Sequence, residues 1–137
     1  MILAICLDDN NGMMFGNKRQ SRDAKVIEDI IENCPDNILY ISEYSKTLLE
    51  KEKIQVKIIE EESIPVDGVC FIENEKIFDY INKADKLVIY KWNRKYPGDL
   101  FFNNWEKDWE KESSLSIVGK SHEEITKETY RRRDANV

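Results

Sequence analysis

Apolar and polar positions divide the chain into short segments of two kinds. Ile2 to Leu7 is an unbroken apolar run and predicts a buried first strand. Asp8-Asp9-Asn10-Asn11-Gly12 follows as a turn-rich loop, then a brief apolar patch at Met13-Met14-Phe15 and a second break at Gly16-Asn17. From Ser21 the period changes. Val26, Ile27, Ile30, Ile31 and Cys34 recur three and four apart, which predicts a helix over 21–33. Ser21 is its expected N-cap and Pro35 its stop. Residues 37–41 read as a short buried strand and 43–52 as a helix carrying Tyr44, Leu48 and Leu49. Ile54, Val56 and Ile58 alternate with polar residues, a period-two strand. Glu60 to Ser63 is a polar connection. Val69 to Ile72 is a further buried strand, 75–83 a short helix, and Leu87 to Trp92 another strand, broken at Pro97-Gly98. Leu115, Ile117 and Ile125 predict two last strands around a turn at Gly119-Lys120.

Strands and helices alternate, so the expected fold class is three-layer α/β. Its centre is a mixed, mostly parallel sheet of seven or eight strands flanked by helices, ending in an antiparallel hairpin. Val69–Ile72 and Leu87–Trp92 are expected as parallel neighbours in its middle, since a helix joins them. The 137 residues are expected to form one domain. Its 41% hydrophobic content is enough for a core without disulfides or metal.

Charge and cysteines narrow the partners. Acids outnumber bases by 27 to 21, a net charge of -6, which disfavours broad binding to DNA. No run reaches about 18 apolar residues, so no membrane-crossing helix is expected. The first strand is too short, and lacks the basic start, to be a signal peptide. Cys6, Cys34 and Cys70 are odd in number and form no CxxC pair, which fits a reducing, cytoplasmic location. Two basic clusters stand out, Lys18-Arg19-Gln20-Ser21-Arg22 and Arg131-Arg132-Arg133, the second read as a solvated end.

Ala84-Asp85-Lys86-Leu87-Val88-Ile89-Tyr90, followed by Tyr96-Pro97-Gly98-Asp99-Leu100-Phe101-Phe102, resembles the dihydrofolate reductase family. Its members commonly carry an ADKL strand and then EGDTFFP at these places. The first strand, the Gly-Asn loop and the Ser21 helix look like the family's first strand, mobile loop and first helix. The resemblance implies a pterin cleft and an NADPH site. The cofactor features are absent, however. Where the family has Gly-Gly after the strand matching Val69–Ile72, this chain has Glu73-Asn74-Glu75. Where it has Gly-Arg and a Thr after the strand matching Ile38–Ile41, this chain has Ser42-Glu43-Tyr44. The segment from Glu60 to Val66 is shorter than the family's adenine-side connection, and the mobile loop's Pro-Trp is replaced by Gln20-Ser21. Glu43, Glu73 and Glu75 put negative charge on phosphate positions with no Arg expected to compensate. Like charges a few ångströms apart oppose each other by about 4 kcal/mol at an effective dielectric near 20. No cofactor is therefore expected, and the family's NADPH-dependent reduction is expected to be lost.

The resemblance places a carboxylate at the start of the first helix, facing the pterin cleft, and Asp23 is the matching candidate for a catalytic acid. It stands four residues before Ile27, on the same helix face. The alternative is an acid in the first helical turn, solvated and favourable to the dipole. Lys18, Arg19, Gln20, Ser21 and Arg22 form an anion-suited run at the helix start and, with Ile27, are the expected ligand-binding residues. The loop with Gly12, Gly16, Met13, Met14 and Phe15 is expected to close over a small polar or heterocyclic ligand. No nucleophile or complete acid–base pair is visible beside these groups, so binding without turnover is expected. The alternatives are an NADPH-dependent oxidoreductase with altered contacts, and an RNA- or protein-interaction module using the Lys18–Arg22 loop.

Other motifs are weaker. His122 is the only histidine, which excludes a multi-histidine zinc centre. A Cys–His dyad has no local motif, and a plain surface histidine is expected. Gly119-Lys120-Ser121 lacks the earlier glycine of a P-loop. Asp8-Asp9 reads as a turn before it reads as a metal site. Trp92, Trp105, Trp109, Tyr90 and Tyr96 could stack bases or fill the core.

Overall fold

The computed structural model describes residues 1–133. Its seven-stranded sheet is built from β1 (Ile2–Leu7), β4 (Ile38–Ile41), β5 (Gln55–Ile58), β6 (Val69–Phe71), β7 (Lys86–Lys91), β9 (Trp109–Ile117) and β10 (Ile125–Arg132). The spatial order is β5-β4-β6-β1-β7-β10-β9. The first five pair in parallel, and β10 runs antiparallel to both β7 and β9. The mixed sheet and terminal hairpin are as the pattern predicts. Gly119-Lys120 lies in the loop that joins β9 to β10.

The strand neighbours differ from the expectation. β6 and β7 do not pair; β1 lies between them, parallel to each. The physical reason lies in β1 itself. Leu3, Ile5 and Leu7 enter one core layer, while Ala4, Ile2 and Cys6 face the other. A strand apolar on both faces belongs at the centre of a covered sheet. The connection from β6 to β7 therefore passes over one strand.

Two cores make the three layers. Helix α1 (Ala24–Glu32) packs Val26, Ile27 and Ile30 with Leu39, Ile41, Phe71, Tyr90 and Trp92. The short helix α2 (Lys46–Leu49) adds Leu49 to this layer. The opposite layer holds Ile77 of α3 (Ile77–Tyr80) with Met13, Met14, Phe102, Trp105 and Trp109. The connections through α1 and α3 move in opposite directions along the sheet. Right-handed crossovers then require opposite faces. Tight 3₁₀ turns account for the rest of two expected helices, at 43–45 and 81–83.

A second, three-stranded ribbon pairs β2 (Gly12–Phe15) with β3 (Lys18–Arg19) and β8 (Leu100–Phe101). Gly16 and Asn17 both have positive φ, at 57° and 62°, the backbone that a two-residue hairpin turn requires. The ribbon changes the role expected of its loop. Met13 and Met14 are buried in the core, and only Phe15 is largely exposed. A closing flap built on those methionines is thereby corrected: they are fixed packing. Arg19, at the ribbon's end, is carried toward the carboxyl ends of β6 and β4.

Candidate functional site

Helix α1 begins one turn's approach later than expected. Its N-cap is Asp23, with extended backbone at φ -151° and ψ 132°, and its carboxylate accepts the Lys25 N–H at 2.9 Å. Ser21 is not the cap, which corrects the expectation and leaves its hydroxyl for another partner. The Asp23 carboxylate prevails because it also holds the loop between β9 and β10. Oδ1 accepts the Lys120 N–H at 3.0 Å. Oδ2 accepts the N–H groups of Ser121 at 2.8 Å and His122 at 3.1 Å, and the Ser121 hydroxyl at 3.0 Å. Gly119 is required beside it. A Cβ there would stand 2.6 Å from Asp23 Oδ2 and 2.6 Å from the His122 carbonyl oxygen, closer than packed atoms allow.

His122 is the correction of greatest consequence. It is buried, 4% exposed, not a surface residue. Its Nδ1 lies 3.0 Å from Asp23 Oδ2. Its Nε2 lies 3.0 Å from the Ser21 hydroxyl and 3.1 Å from the Tyr96 hydroxyl. Tyr96 also donates to Ser21 Oγ at 3.4 Å. Trp92 stacks on the imidazole, centroids 4.5 Å apart. With Nδ1 protonated the ring donates to the carboxylate and turns a lone pair toward Ser21. No cysteine is among the ring's hydrogen-bond partners. Burial of Asp23 would raise its pKa. The N–H donors of Lys120, Lys25 and Ser121 and the His122 ring outweigh burial and hold the carboxyl far below its ordinary range.

Sequence reasoning missed His122, Tyr96 and Trp92. His122 stands 99 residues from Asp23, and no local period connects them. One usable signal exists: the chain's sole histidine ends a Gly-Lys-Ser-His turn, whose consecutive N–H groups suit a carboxylate.

The remaining candidates divide. Arg22, Asp23 and Ile27 line one cleft of about 270 Å³ with Ala24, Leu48, Glu52 and Ser121. A narrow crevice beside it shares Arg22, Asp23, Ile27 and Leu48, and adds Ser21, Cys6, Phe71, Glu73 and Trp92. Lys18 is exposed on β3. Gln20 is turned away, its amide donating to Asp8 Oδ2 at 3.1 Å and the Pro97 carbonyl at 3.2 Å. Arg19 is committed to Glu73 through two bonds of 2.7 and 3.0 Å. Ser45 donates to the same carboxylate at 2.7 Å, and Tyr44 accepts the Arg19 backbone N–H at 2.7 Å. The expectation that no Arg compensates Glu73 is thus corrected, because the β2–β3 ribbon delivers one. Glu43 and Glu75 are exposed.

The other motifs resolve as structure. Asp8 Oδ1 accepts the N–H groups of Asn10 and Gly12, a turn. Among the described residues no cluster of three or more His, Cys, Asp or Glu side chains could hold a metal. Trp92, Trp105, Trp109 and Tyr90 are buried and closed to bases, while Tyr96 is half-buried. The Arg131–Arg133 end is exposed but tied down, which corrects its reading as a merely solvated terminus. Arg132 donates to the carbonyls of Ile81 and Ala84 and lies over the Trp109 ring. Among the described residues no helix is long and apolar enough to cross a membrane.

No family model matches the sequence, and no curated protein matches it. Solved structures do. A dihydrofolate reductase from Enterococcus faecalis, complexed with NADP(H) and RAB-propyl, superposes with a TM-score of 0.66 at 18% identity. The match covers 98% of this chain and 97% of that one. The doubly flanked sheet, its antiparallel end and this near-complete superposition give the chain a dihydrofolate reductase-like fold.

Proposed function

We propose that this single domain binds a small polar or heterocyclic ligand in the cleft beside α1, and that it does not carry out NADPH-dependent reduction. One observation carries the reading: the Arg19–Glu73 ion pair. In open α/β sheets ligands settle outside the carboxyl ends of the strands, where successive connections leave to opposite faces. Here that point lies between β1, which leads to α1, and β6, which leads to α3. Glu73 stands two residues beyond that end of β6, and its carboxylate is held by Arg19 and Ser45. A pyrophosphate needs the close backbone approach that glycine allows, and unpaired N–H or cationic donors there. A buried carboxylate that already consumes the arginine does not fit such a group. The matched reductase is complexed with NADP(H), whose phosphates the paired Arg19 and Glu73 of this chain do not suit.

The cleft retains the parts of a small-molecule site. Ile27, Leu48 and Ala24 provide apolar wall, and Arg22 and Glu52 provide charge of both signs. Its ≈ 270 Å³ suits a ligand of one or two rings. Isothermal titration with NADPH tests the first half of the reading. The expected Kd is weaker than about 1 mM, roughly −4 kcal/mol, and a micromolar Kd overturns it. Methyl NMR tests the second half. Pterin and pyrimidine fragments should shift the Ile27 and Leu48 methyl signals, and a full fragment panel that moves neither overturns it.

A further inference from the structure

The buried carboxylates of Asp8 and Glu128, away from the cleft, are already committed. Burial pushes the thiols of Cys34 and Cys70 up to about 11 and about 12, and raises Cys6 as well, so no thiolate nucleophile is offered. Glu128 is enclosed by Lys91, Lys111 and Tyr130. The chain Asp23–His122–Ser21 is different, because its last member is a half-buried hydroxyl that lines a narrow crevice. Holding the β9–β10 loop requires only the carboxylate and the backbone N–H groups it accepts. The far ring nitrogen, facing Ser21 at 3.0 Å, adds a function that a loop staple does not need.

From this geometry we infer that Ser21 is a nucleophile, that His122 is its general base and that Asp23 orients the base, so that the protein hydrolyses small carboxylic esters of short acyl groups. The two contacts run in the order acyl transfer requires, with carboxylate on Nδ1 and hydroxyl on Nε2. Trp92 below the imidazole and Tyr96 at its edge fix the ring plane. Ser21 is half-buried and lines the narrow crevice, whose volume is near 10 Å³. The crevice joins the larger cleft along Arg22, Asp23, Ile27 and Leu48. A volume of that size is about that of one water, so an ester reaches Ser21 from the adjoining cleft, an approach that favours a short acyl group. Ser21 also stands just before the N-terminus of the nine-residue α1. Among the described residues no hydrogen bond is donated by the amides of Arg22 or Ala24. N–H groups at a helix start are the donors that a developing oxyanion needs.

The reaction balances with water as co-reactant. Ser21 Oγ bonds to the ester carbonyl carbon while its proton passes to His122 Nε2, giving an imidazolium beside the Asp23 carboxylate. The tetrahedral adduct collapses, the bond from carbon to the alcohol oxygen breaks, and His122 returns the proton to the departing alcohol. Water then attacks the acyl-Ser21 carbonyl with His122 again as base. A carboxylic acid leaves and the Ser21 hydroxyl is restored.

The inference is independent of cofactor loss, since its test needs no nicotinamide. The full chain is treated with diisopropyl fluorophosphate and analysed by intact mass and peptide mapping. One adduct, on Ser21, is expected, and none on Ser21→Ala. p-Nitrophenyl acetate is the second probe. Ser21→Ala, which removes one oxygen atom, should retain the circular dichroism of the parent and lose about a thousandfold in turnover. His122→Gln should lose as much, and if it does not fold, the labelling of the unaltered chain still decides. No adduct on Ser21, an adduct on Tyr96 in its place, or undiminished turnover by Ser21→Ala overturns the inference.

Discussion

At Asp23 one carboxylate serves two distant parts of the chain, and an amide there cannot. Asn caps helices nearly as well as Asp, so the bond to the Lys25 N–H survives the change. The remaining oxygen can still accept the Lys120 N–H. The new NH₂ group then faces the N–H donors of Ser121 and His122, which lose their acceptor in a buried place. An unsatisfied buried donor costs about 1–3 kcal/mol. Asp23→Asn should therefore lower unfolding stability by about 2–3 kcal/mol in urea, with the slope unchanged. A loss below about 0.5 kcal/mol, the range of an ordinary surface change, would show that the loop is held by something else. Asp23 was legible in the sequence as a carboxylate on a buried helix face. Its partners were not, because hydrogen bonds between the start of α1 and residues 120–122 obey no period that a one-dimensional pattern records.

Among the elements, the β2–β3 hairpin does most to shape the switch point of the sheet, because it brings Arg19 to Glu73. Arg19 is about one-fifth exposed and Glu73 less than one-tenth. The guanidinium also lies over the Tyr44 ring, 4.8 Å from its centroid. Removing one partner of such a pair leaves the other charge buried, at a cost of about 3 kcal/mol. Arg19→Met and Glu73→Gln should each destabilise by about that amount. The double variant should fall short of their sum by at least about 1 kcal/mol. Strict additivity in chemical denaturation would mean that the two charges are not coupled. The Gly16-Asn17 break was readable as punctuation, but its hairpin was not. A two-residue strand such as β3 is too short to show alternation. The helices show the reverse: their apolar faces were plain, while their lengths were overestimated. Residues 50–53 and 81–83 continue a helical spacing that the backbone abandons for tight turns.

Across the whole molecule, alternating strand and helix patterns were enough to predict the sheet, its parallel part and its antiparallel end. Strand order was less legible, because apolar runs show which strands are buried but not which one lies at the centre. The antiparallel end is held by a feature that predicts how the whole fold responds to acid. Glu128 of β10 lies 2.9 Å from the Lys91 ammonium on β7 and 2.8 Å from that of Lys111 on β9, and accepts the Tyr130 hydroxyl at 2.8 Å. Burial alone would raise its pKa. The two lysines and the tyrosine outweigh burial and lower it from 4.5 to about 2. A carboxyl more acidic in the folded chain than in the unfolded one stabilises the fold fully above the unfolded value. That contribution is lost as pH falls through the folded value. The lysines are substantially exposed, so solvent screening reduces the contribution to the order of 2 kcal/mol. The depressed Asp23 acts in the same direction. Unfolding free energy should thus be level from about pH 7 to 5 and fall steadily between about pH 5 and 2. Glu128→Gln should be less stable than the parent at pH 7 and approach it near pH 2, because protonation has by then removed from the parent the ion pairs that the variant already lacks. Parallel curves with a constant gap across that window would mean that another carboxylate governs the acid limb.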